Sequence, residues 1–234
     1  MPGFFITFEG TEGGGKSTQI ALLAERLKKT GRVVRLAREP GGTPIGEEIR
    51  HTLMHSKQND AMSAETELLL MNASRAQLVR EVIRPALFRE EIVLCDRFYD
   101  STVAYQGYGR ELDLNVVRTI IDYAVGNTRP ALTLLLCIPI EVSEARRLAR
   151  QAGLCAVNAK TGKKTGRVPL TFSEPLRDRL EESDRKFFER VEQGYQQIAA
   201  AEPARVKVID GTASVDAVSA AIWREVKQVV RANA

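Results

Sequence analysis

A glycine-rich run placed directly behind a short apolar run restricts this chain more than any other feature. Phe4–Phe8 is followed by Gly10-Thr11-Glu12-Gly13-Gly14-Gly15-Lys16-Ser17-Thr18, which fits the pattern GxxxxGK[ST]. The glycines let successive backbone N–H groups turn inward around anionic oxygens, and the start of a following helix adds its dipole. Such a cradle is built between a strand that enters it and a helix that leaves it. The pattern therefore demands an α/β architecture and identifies Gly10 to Thr18 as a phosphate-binding P-loop.

The rest of the chain agrees with that demand. Short apolar runs at Phe4–Phe8, Val33–Ala37, Ile92–Cys95, Ala131–Cys137 and Val206–Ile209 have the length and continuity of strands buried on both faces. Between them, Ile20, Leu23, Ala24 and Leu27 follow helical spacing, and a long helical pattern runs from Ser63 to Pro85–Phe88. Ile140–Ala152, Leu176–Ala200 and Val215–Val230 read as three more helices. Strand–helix alternation implies a parallel sheet covered on both sides. The expectation is a three-layer α/β sandwich of the P-loop NTPase kind, with a five-stranded parallel sheet flanked by helices. Its 234 residues can bury one large core, and no linker or repeat divides residues 1–234 into separate domains.

One stretch breaks the pattern. Gly153–Pro175 lacks periodicity, and a loop of this length within a compact domain is usually functional. From Ala145 to Ser173 there is no acidic residue, while Arg146, Arg147, Arg150, Lys160, Lys163, Lys164 and Arg167 are all cationic. The net charge of +4 therefore belongs to this segment, and the remainder of the chain is net negative. Residues from about 153 to 176 are read as a mobile basic lid. Nucleic acid is not its expected partner, since no RNA-binding motif accompanies it and aromatic residues make up only 6% of the chain.

Three cysteines, Cys95, Cys137 and Cys155, form no metal-spaced pair and no disulfide framework. His51 and His55 stand four apart but lack the partners of a metal site. The N-terminus has no signal-peptide pattern, and no apolar stretch approaches the length of a membrane span, so a cytoplasmic location without membrane contact is expected.

Within the loop, Lys16 can reach β- and γ-phosphates, and the Ser17 hydroxyl can ligate Mg²⁺. Ile92-Val93-Leu94-Cys95-Asp96 is an apolar run ending in a carboxylate, the place of a Mg²⁺-associated aspartate at the C-terminal edge of a sheet. Arg97 then sets a guanidinium beside the transferring phosphates; the plain alternative is a structural Asp96–Arg97 ion pair. The guanine-reading Asn-Lys-x-Asp tetrad is absent, which counts against a GTPase. A closing cationic lid suits transfer between two bound molecules, because it excludes water. The residues alone thus lead to a P-loop kinase of a small acceptor, with an ATPase-type switch as the other class. In the long helix, Arg75 interrupts an apolar stripe of Leu68, Met71, Leu78 and Val82. Its head either snorkels to water or enters a cleft to donate to a ligand carbonyl.

At this point the chain resembles the bacterial thymidylate kinase family over nearly its whole length. The resemblance rests on Phe8 to Thr18, Arg38-Glu39-Pro40-Gly41-Gly42-Thr43-Pro44, Arg75-Ala76-Gln77 with Ile83-Arg84-Pro85-Ala86-Leu87, and Asp96-Arg97-Phe98 through Ser101. Ala104-Tyr105-Gln106-Gly107, Asp178-Arg179-Leu180-Glu181 and Phe187 to Tyr195 extend it. It implies phosphorylation of dTMP to dTDP with ATP and Mg²⁺ by direct transfer, and a homodimer; the alternative acceptor is another nucleotide such as dUMP, which Met71 keeps open. By the same resemblance, Glu12 holds the acceptor sugar hydroxyl, Arg97 grips the acceptor phosphate and Arg75 donates to thymine O4. Ser101 and Gln106 meet the base, Tyr105 packs under the deoxyribose, and Glu39-Pro40 covers the acceptor. Lys16, Asp96, Arg97 and Glu12 form the implied catalytic set.

Gly13 after Glu12 together with a basic lid resembles the branch of the family in which the lid supplies the catalytic cation. Arg147, Arg150, Lys160, Lys163, Lys164, Arg167, Arg177 and Arg179 are the candidates, with Arg150 and Arg179 preferred. Two departures stand out: Met71 replaces the phenylalanine usual over the thymine ring, and the lid is longer than the family's.

Overall fold

The computed structural model describes residues 3–146, 148–149, 179–180 and 183–232. The expected lid lies outside these residues, as do Arg147, Arg150, Lys160, Lys163, Lys164, Arg167 and Arg177 among the cation candidates, and Cys155.

Five strands form one parallel sheet: β1 (Phe5–Glu9), β2 (Val34–Arg38), β3 (Ile92–Asp96), β4 (Leu132–Cys137) and β5 (Val206–Asp210), in the order β2-β3-β1-β4-β5. All five expected strands are present, and their ends shift by a residue or so. β1, β2, β3 and β5 run one residue further than the apolar pattern, onto Glu9, Arg38, Asp96 and Asp210. That displacement sets a polar residue at the C-terminal end of four strands, the edge outside which ligands bind in open α/β sheets.

The strands show why both faces had to be apolar. Ile6, Phe8, Leu94, Leu132, Leu134 and Leu136 point to one side, where they pack on Ile20, Leu23, Ala24 and Leu27 of α1 (Lys16–Lys28). Val218, Ile222 and Val226 of α9 (Val215–Ala232) complete that layer. Phe5, Val93, Cys95 and Leu135 point the other way, into a larger cluster. Each fully buried aliphatic side chain contributes about 1.5–3 kcal/mol, so the two layers hold the sheet from both sides.

The second layer contains α3 (Ala64–Leu78), α4 (Arg84–Phe88), α6 (Leu114–Val125) and α8 (Arg185–Ala201). Ser63 caps α3 by accepting from Thr66 N at 3.2 Å. The single long helix expected from Ser63 to Phe88 is in fact α3 and α4 joined by a wider, π-type turn at Val79–Ile83. Pro85 explains the change: it brings no N–H to the ladder, and the wide turn lets the chain continue without a break. A second wide turn, Val103–Gly109, continues α5 (Tyr99–Thr102) and carries Tyr105 and Gln106.

The helix expected from Leu176 begins only at Arg185. Residues 179–180 form a turn, and Asp184 caps α8 by accepting from Phe187 N at 2.7 Å. Helical residues 140–146 form α7, and Pro44–Arg50 form α2, which passes into another wide turn at His51–His55. The two histidines lie with ring centroids 6.2 Å apart, and no group of three metal-ligating side chains occurs among the described residues.

Candidate active site

The site assembles where β1 lies between β3 and β4 and their connections leave to opposite faces. The P-loop winds from Glu9 to Lys16 with Gly10, Gly13 and Gly15 all at positive φ. At Gly10 a side chain is impossible, since a Cβ would stand 2.2 Å from Leu136 O. Gly15 precedes α1 without capping it by a side chain, leaving the first N–H groups of the helix directed at the loop. Lys16 is almost wholly buried; its Nζ donates to Gly10 O at 3.0 Å and Thr11 O at 2.9 Å. Burial and the nearby Arg97 push its pKa down, against the pull of Glu12 and Asp96.

Ser17 Oγ donates to Asp96 Oδ2 at 3.1 Å, so the expected Mg²⁺ pair is in contact across α1 and β3. A hydroxyl and a carboxylate at the mouth of an anion cradle form an oxygen donor set of the kind Mg²⁺ accepts beside phosphates. The residues present therefore fit both an ATP triphosphate and its metal.

Arg97 stands at φ 67°, a backbone conformation uncommon for a residue with a side chain. The Asp96–Arg97 ion pair considered above does not form in this place. Arg97 Nη2 instead meets Glu12 Oε1 at 2.6 Å and Tyr105 OH at 3.3 Å, while Nη1 donates to Ser101 Oγ at 3.1 Å and Tyr195 OH at 3.3 Å. The expected Glu12, Arg97, Ser101 and Tyr105 are thus one cluster. Its floor is Glu9, wholly buried at the end of β1, which accepts from Phe98 N, Ser101 Oγ and Tyr195 OH. Burial, reinforced by Asp100, pushes the Glu9 carboxyl up to about 7.

Arg75 does not snorkel. It is 1% exposed, with Nε on Glu39 Oε2 at 2.8 Å, Nη1 on Asn72 Oδ1 at 2.7 Å and Nη2 on Thr102 Oγ1 at 2.9 Å. Met71, one turn before it, packs with Leu53 and Met54. Gln106 Nε2 donates to Glu67 Oε1 at 2.7 Å, and the same buried carboxylate receives Arg110 and Arg179. Arg179 also donates to Met62 O at 3.0 Å, so it sits beside Gln106 and α3, with no hydrogen bond to the P-loop among the described residues. Pro40 carries a carbonyl that receives both Arg38 and Arg50.

Sequence reasoning missed four residues. Glu9 and Tyr195 lay inside the blocks that carried the resemblance, and for Glu9 an acidic residue directly after the run Phe4–Phe8 was the available signal. Glu67 had none, because its three partners come from distant segments. Arg146 was counted among the cations but not as a site residue; its Nη1 donates to Gly13 O at 2.9 Å, while Ser143 Oγ donates to Glu12 O at 2.7 Å. α7 therefore buttresses the P-loop, and Gly13 leaves room for it, since a Cβ there would lie 3.1 Å from Arg146 Cβ.

Comparison with known proteins gives this geometry a family. Residues 8–168 match the family described as thymidylate kinase. The chain belongs to the thymidylate kinase family. It is 47% identical over 213 residues to the thymidylate kinase of Citrifermentans bemidjiense, covering 91% of this chain and 86% of that one. With the enzyme of Pseudomonas savastanoi pv. phaseolicola it shares 44% over 222 residues, covering 95% and 94%. The crystal structure of thymidylate kinase from Ehrlichia chaffeensis superimposes with a TM-score of 0.70 at 29% identity, covering 97% of this chain and 99% of the other. None of the described helices of this thymidylate kinase family member is long and apolar enough to cross a membrane.

Proposed function

We propose that the protein transfers the γ-phosphoryl group of ATP to dTMP, yielding ADP and dTDP. The observation that carries this reading is the junction of two cationic groups: Lys16 within the P-loop, and Arg97 held at Glu12 of the same loop. A P-loop ATPase would have no use for the second.

The P-loop amides and Lys16 hold the β- and γ-phosphates of the donor. Arg97 holds the acceptor phosphate, and Glu12 accepts from the sugar hydroxyl while orienting Arg97. An acceptor phosphate oxygen then attacks the γ-phosphorus in line; the new P–O bond forms as the bond to the β-bridging oxygen breaks, and ADP leaves. Mg²⁺, held by Ser17 and Asp96, supplies charge neutralisation at the phosphate oxygens when bound. Tyr105 packs under the deoxyribose, Met71 and Arg75 face the base, and Ser101 and Gln106 complete its surroundings. The catalytic cation comes from the segment after α7, with Arg150 preferred over Arg179 because the latter is engaged by Glu67. Residues 1–234 act as one domain in the cytoplasm. A homodimer is part of this reading, supported by exposed Leu69 on α3 and Val116 and Tyr123 on α6.

ADP formation with ATP and Mg²⁺ tests it, comparing dTMP, dUMP, dCMP, ribo-TMP and no acceptor. The strongest stimulation is expected with dTMP. A rate indifferent to acceptor overturns the assignment.

A further inference from the structure

Glu9 is a carboxyl group with no exposure at all, placed where an apolar residue would serve the sheet equally well. Its neighbour on β1, Phe8, pairs with Asp96 of β3 and accepts from Arg97 N at 2.9 Å, so its surroundings are the hinge of the acceptor site. Burying such a group is unfavourable unless its oxygens are fully used. They are, and every bond leads towards Arg97.

Oε1 accepts from Phe98 N at 2.7 Å. That amide immediately follows Arg97, whose φ of 67° needs an anchor to persist. Oε2 accepts from Ser101 Oγ at 2.6 Å and from Tyr195 OH at 3.0 Å. These two hydroxyls stand 2.9 Å from each other, and both receive Arg97 Nη1, at 3.1 and 3.3 Å. Proton counting orients them once Glu9 is ionised, as it is above about pH 7. The carboxylate then has acceptors only, and each hydroxyl owns one hydrogen. With both hydrogens turned to Oε2, the hydroxyl lone pairs face Arg97, whose guanidinium has donors only.

We infer that Glu9 is a positioning residue for phosphoryl transfer: it aims Arg97 at the acceptor phosphate, through Phe98 N at the backbone end and through Ser101 and Tyr195 at the guanidinium end. This rests on the reading of Arg97 as the acceptor-phosphate ligand. A merely structural Glu9 would support the strand end without steering either substrate.

Glu9→Gln distinguishes the two. The amide keeps the size and one acceptor, but its NH₂ turns both hydroxyls round, so that their hydrogens compete with those of Arg97. The KM for dTMP is expected to rise about tenfold, as for a lost charge-assisted hydrogen bond, with the KM for ATP within about twofold. Tyr195→Phe is expected to raise the dTMP KM in the parent and to add nothing in the Glu9→Gln background, because both act through one relay. An unchanged dTMP KM in folded Glu9→Gln, equal rises for both substrates, or full additivity with Tyr195→Phe each overturn the proposal. Should Glu9→Gln fail to fold, the Ser101→Ala Tyr195→Phe double variant decides, and an unchanged dTMP KM there overturns it. Arg97→Ala runs beside these. If it leaves the dTMP KM unchanged, the acceptor reading falls and this proposal with it; if it raises KM while Glu9→Gln does not, Glu9 alone is refuted.

Discussion

Arg75 and Glu39 form an ion pair almost entirely out of water, with side chains 2% and 4% exposed and Arg75 Nη2 2.7 Å from Glu39 Oε2. Nε of the same arginine converges on the same oxygen, and Oε1 is buried without a hydrogen-bond partner among the described residues. An oxygen in that position favours a proton. Burial, opposed by Arg75, accordingly pushes the Glu39 carboxyl up to about 7.

This has a consequence for stability. In the unfolded chain Glu39 titrates near the ordinary glutamate value, so between pH 4.5 and about 7 the native state binds the extra proton. Stability then falls as pH rises through that window, by up to about 3 kcal/mol from this group. Glu39→Gln removes the titration. Chemical unfolding from pH 5 to 8 is expected to show a shallower loss in the variant than in the parent; parallel curves would contradict the assignment.

Lys16→Met should separate stability from chemistry. The ammonium is buried against two carbonyl oxygens and pays for desolvation that a thioether side chain avoids. The melting temperature without nucleotide is expected to hold or rise. The turnover number should drop by about 10²–10³-fold, as for loss of one preorganised charge at the transferred group. A coupled ADP assay and thermal unfolding on the same sample check both halves, and retained turnover removes Lys16 from the site.

Met71→Phe sets recognition against packing. If residue 71 lies over the base, a ring improves stacking and should lower the dTMP KM severalfold. The side chain is also 8% exposed and packed with Leu53 and Met54, so the larger ring should cost about 1–3 kcal/mol through overpacking. Titration calorimetry with dTMP and urea unfolding read the two effects separately. Unaltered dTMP affinity would place Met71 away from the ring.

Much of this was legible in the sequence because it is local. The P-loop, its strand and its helix are contiguous, and strand continuity reports burial on two faces directly. Ser17 was legible from the P-loop pattern, Asp96 and Arg97 from their place at and just after the end of an apolar run, and Glu12 through the family resemblance; the contact between Glu12 and Arg97 was not. What stayed hidden depends on long-range contact. Glu67 collects Gln106, Arg110 and Arg179 from 39, 43 and 112 residues away, and no periodicity signals a shared carboxylate. Pro85 was visible, but whether it would end the helix or widen it was decided by packing of Val79 and Ile83 in the core.

Arg146→Ala tests the buttress between α7 and the P-loop. Its guanidinium donates to Gly13 O and, at 3.3 Å, to Gly211 O, tying the loop to the turn after β5. Losing it should raise the KM for ATP about three- to tenfold, as for one charged hydrogen-bonding group, and leave the dTMP KM nearly unchanged. Steady-state kinetics with each substrate varied in turn is the measurement, and a selective rise in the dTMP KM would place Arg146 on the acceptor side instead.

Arg179 and Glu67 give the sharpest division among the cation candidates. The carboxylate has no exposure, and Arg179 is 12% exposed by side chain, so the pair is a buried one shared with Arg110. Removing Arg179 leaves Arg110 and Gln106 to satisfy Glu67, whereas removing Glu67 leaves two guanidinium groups without their carboxylate. Glu67→Ala is therefore expected to destabilise the fold by about 3–5 kcal/mol, and Arg179→Ala by less. Arg179→Ala should also keep most of the turnover number, because the guanidinium is already committed to Glu67 and Met62 O. A fall of about 10²-fold or more in turnover with stability retained would instead make Arg179 the group that meets the transferring phosphoryl charge, since that is the size of effect a single transition-state contact produces.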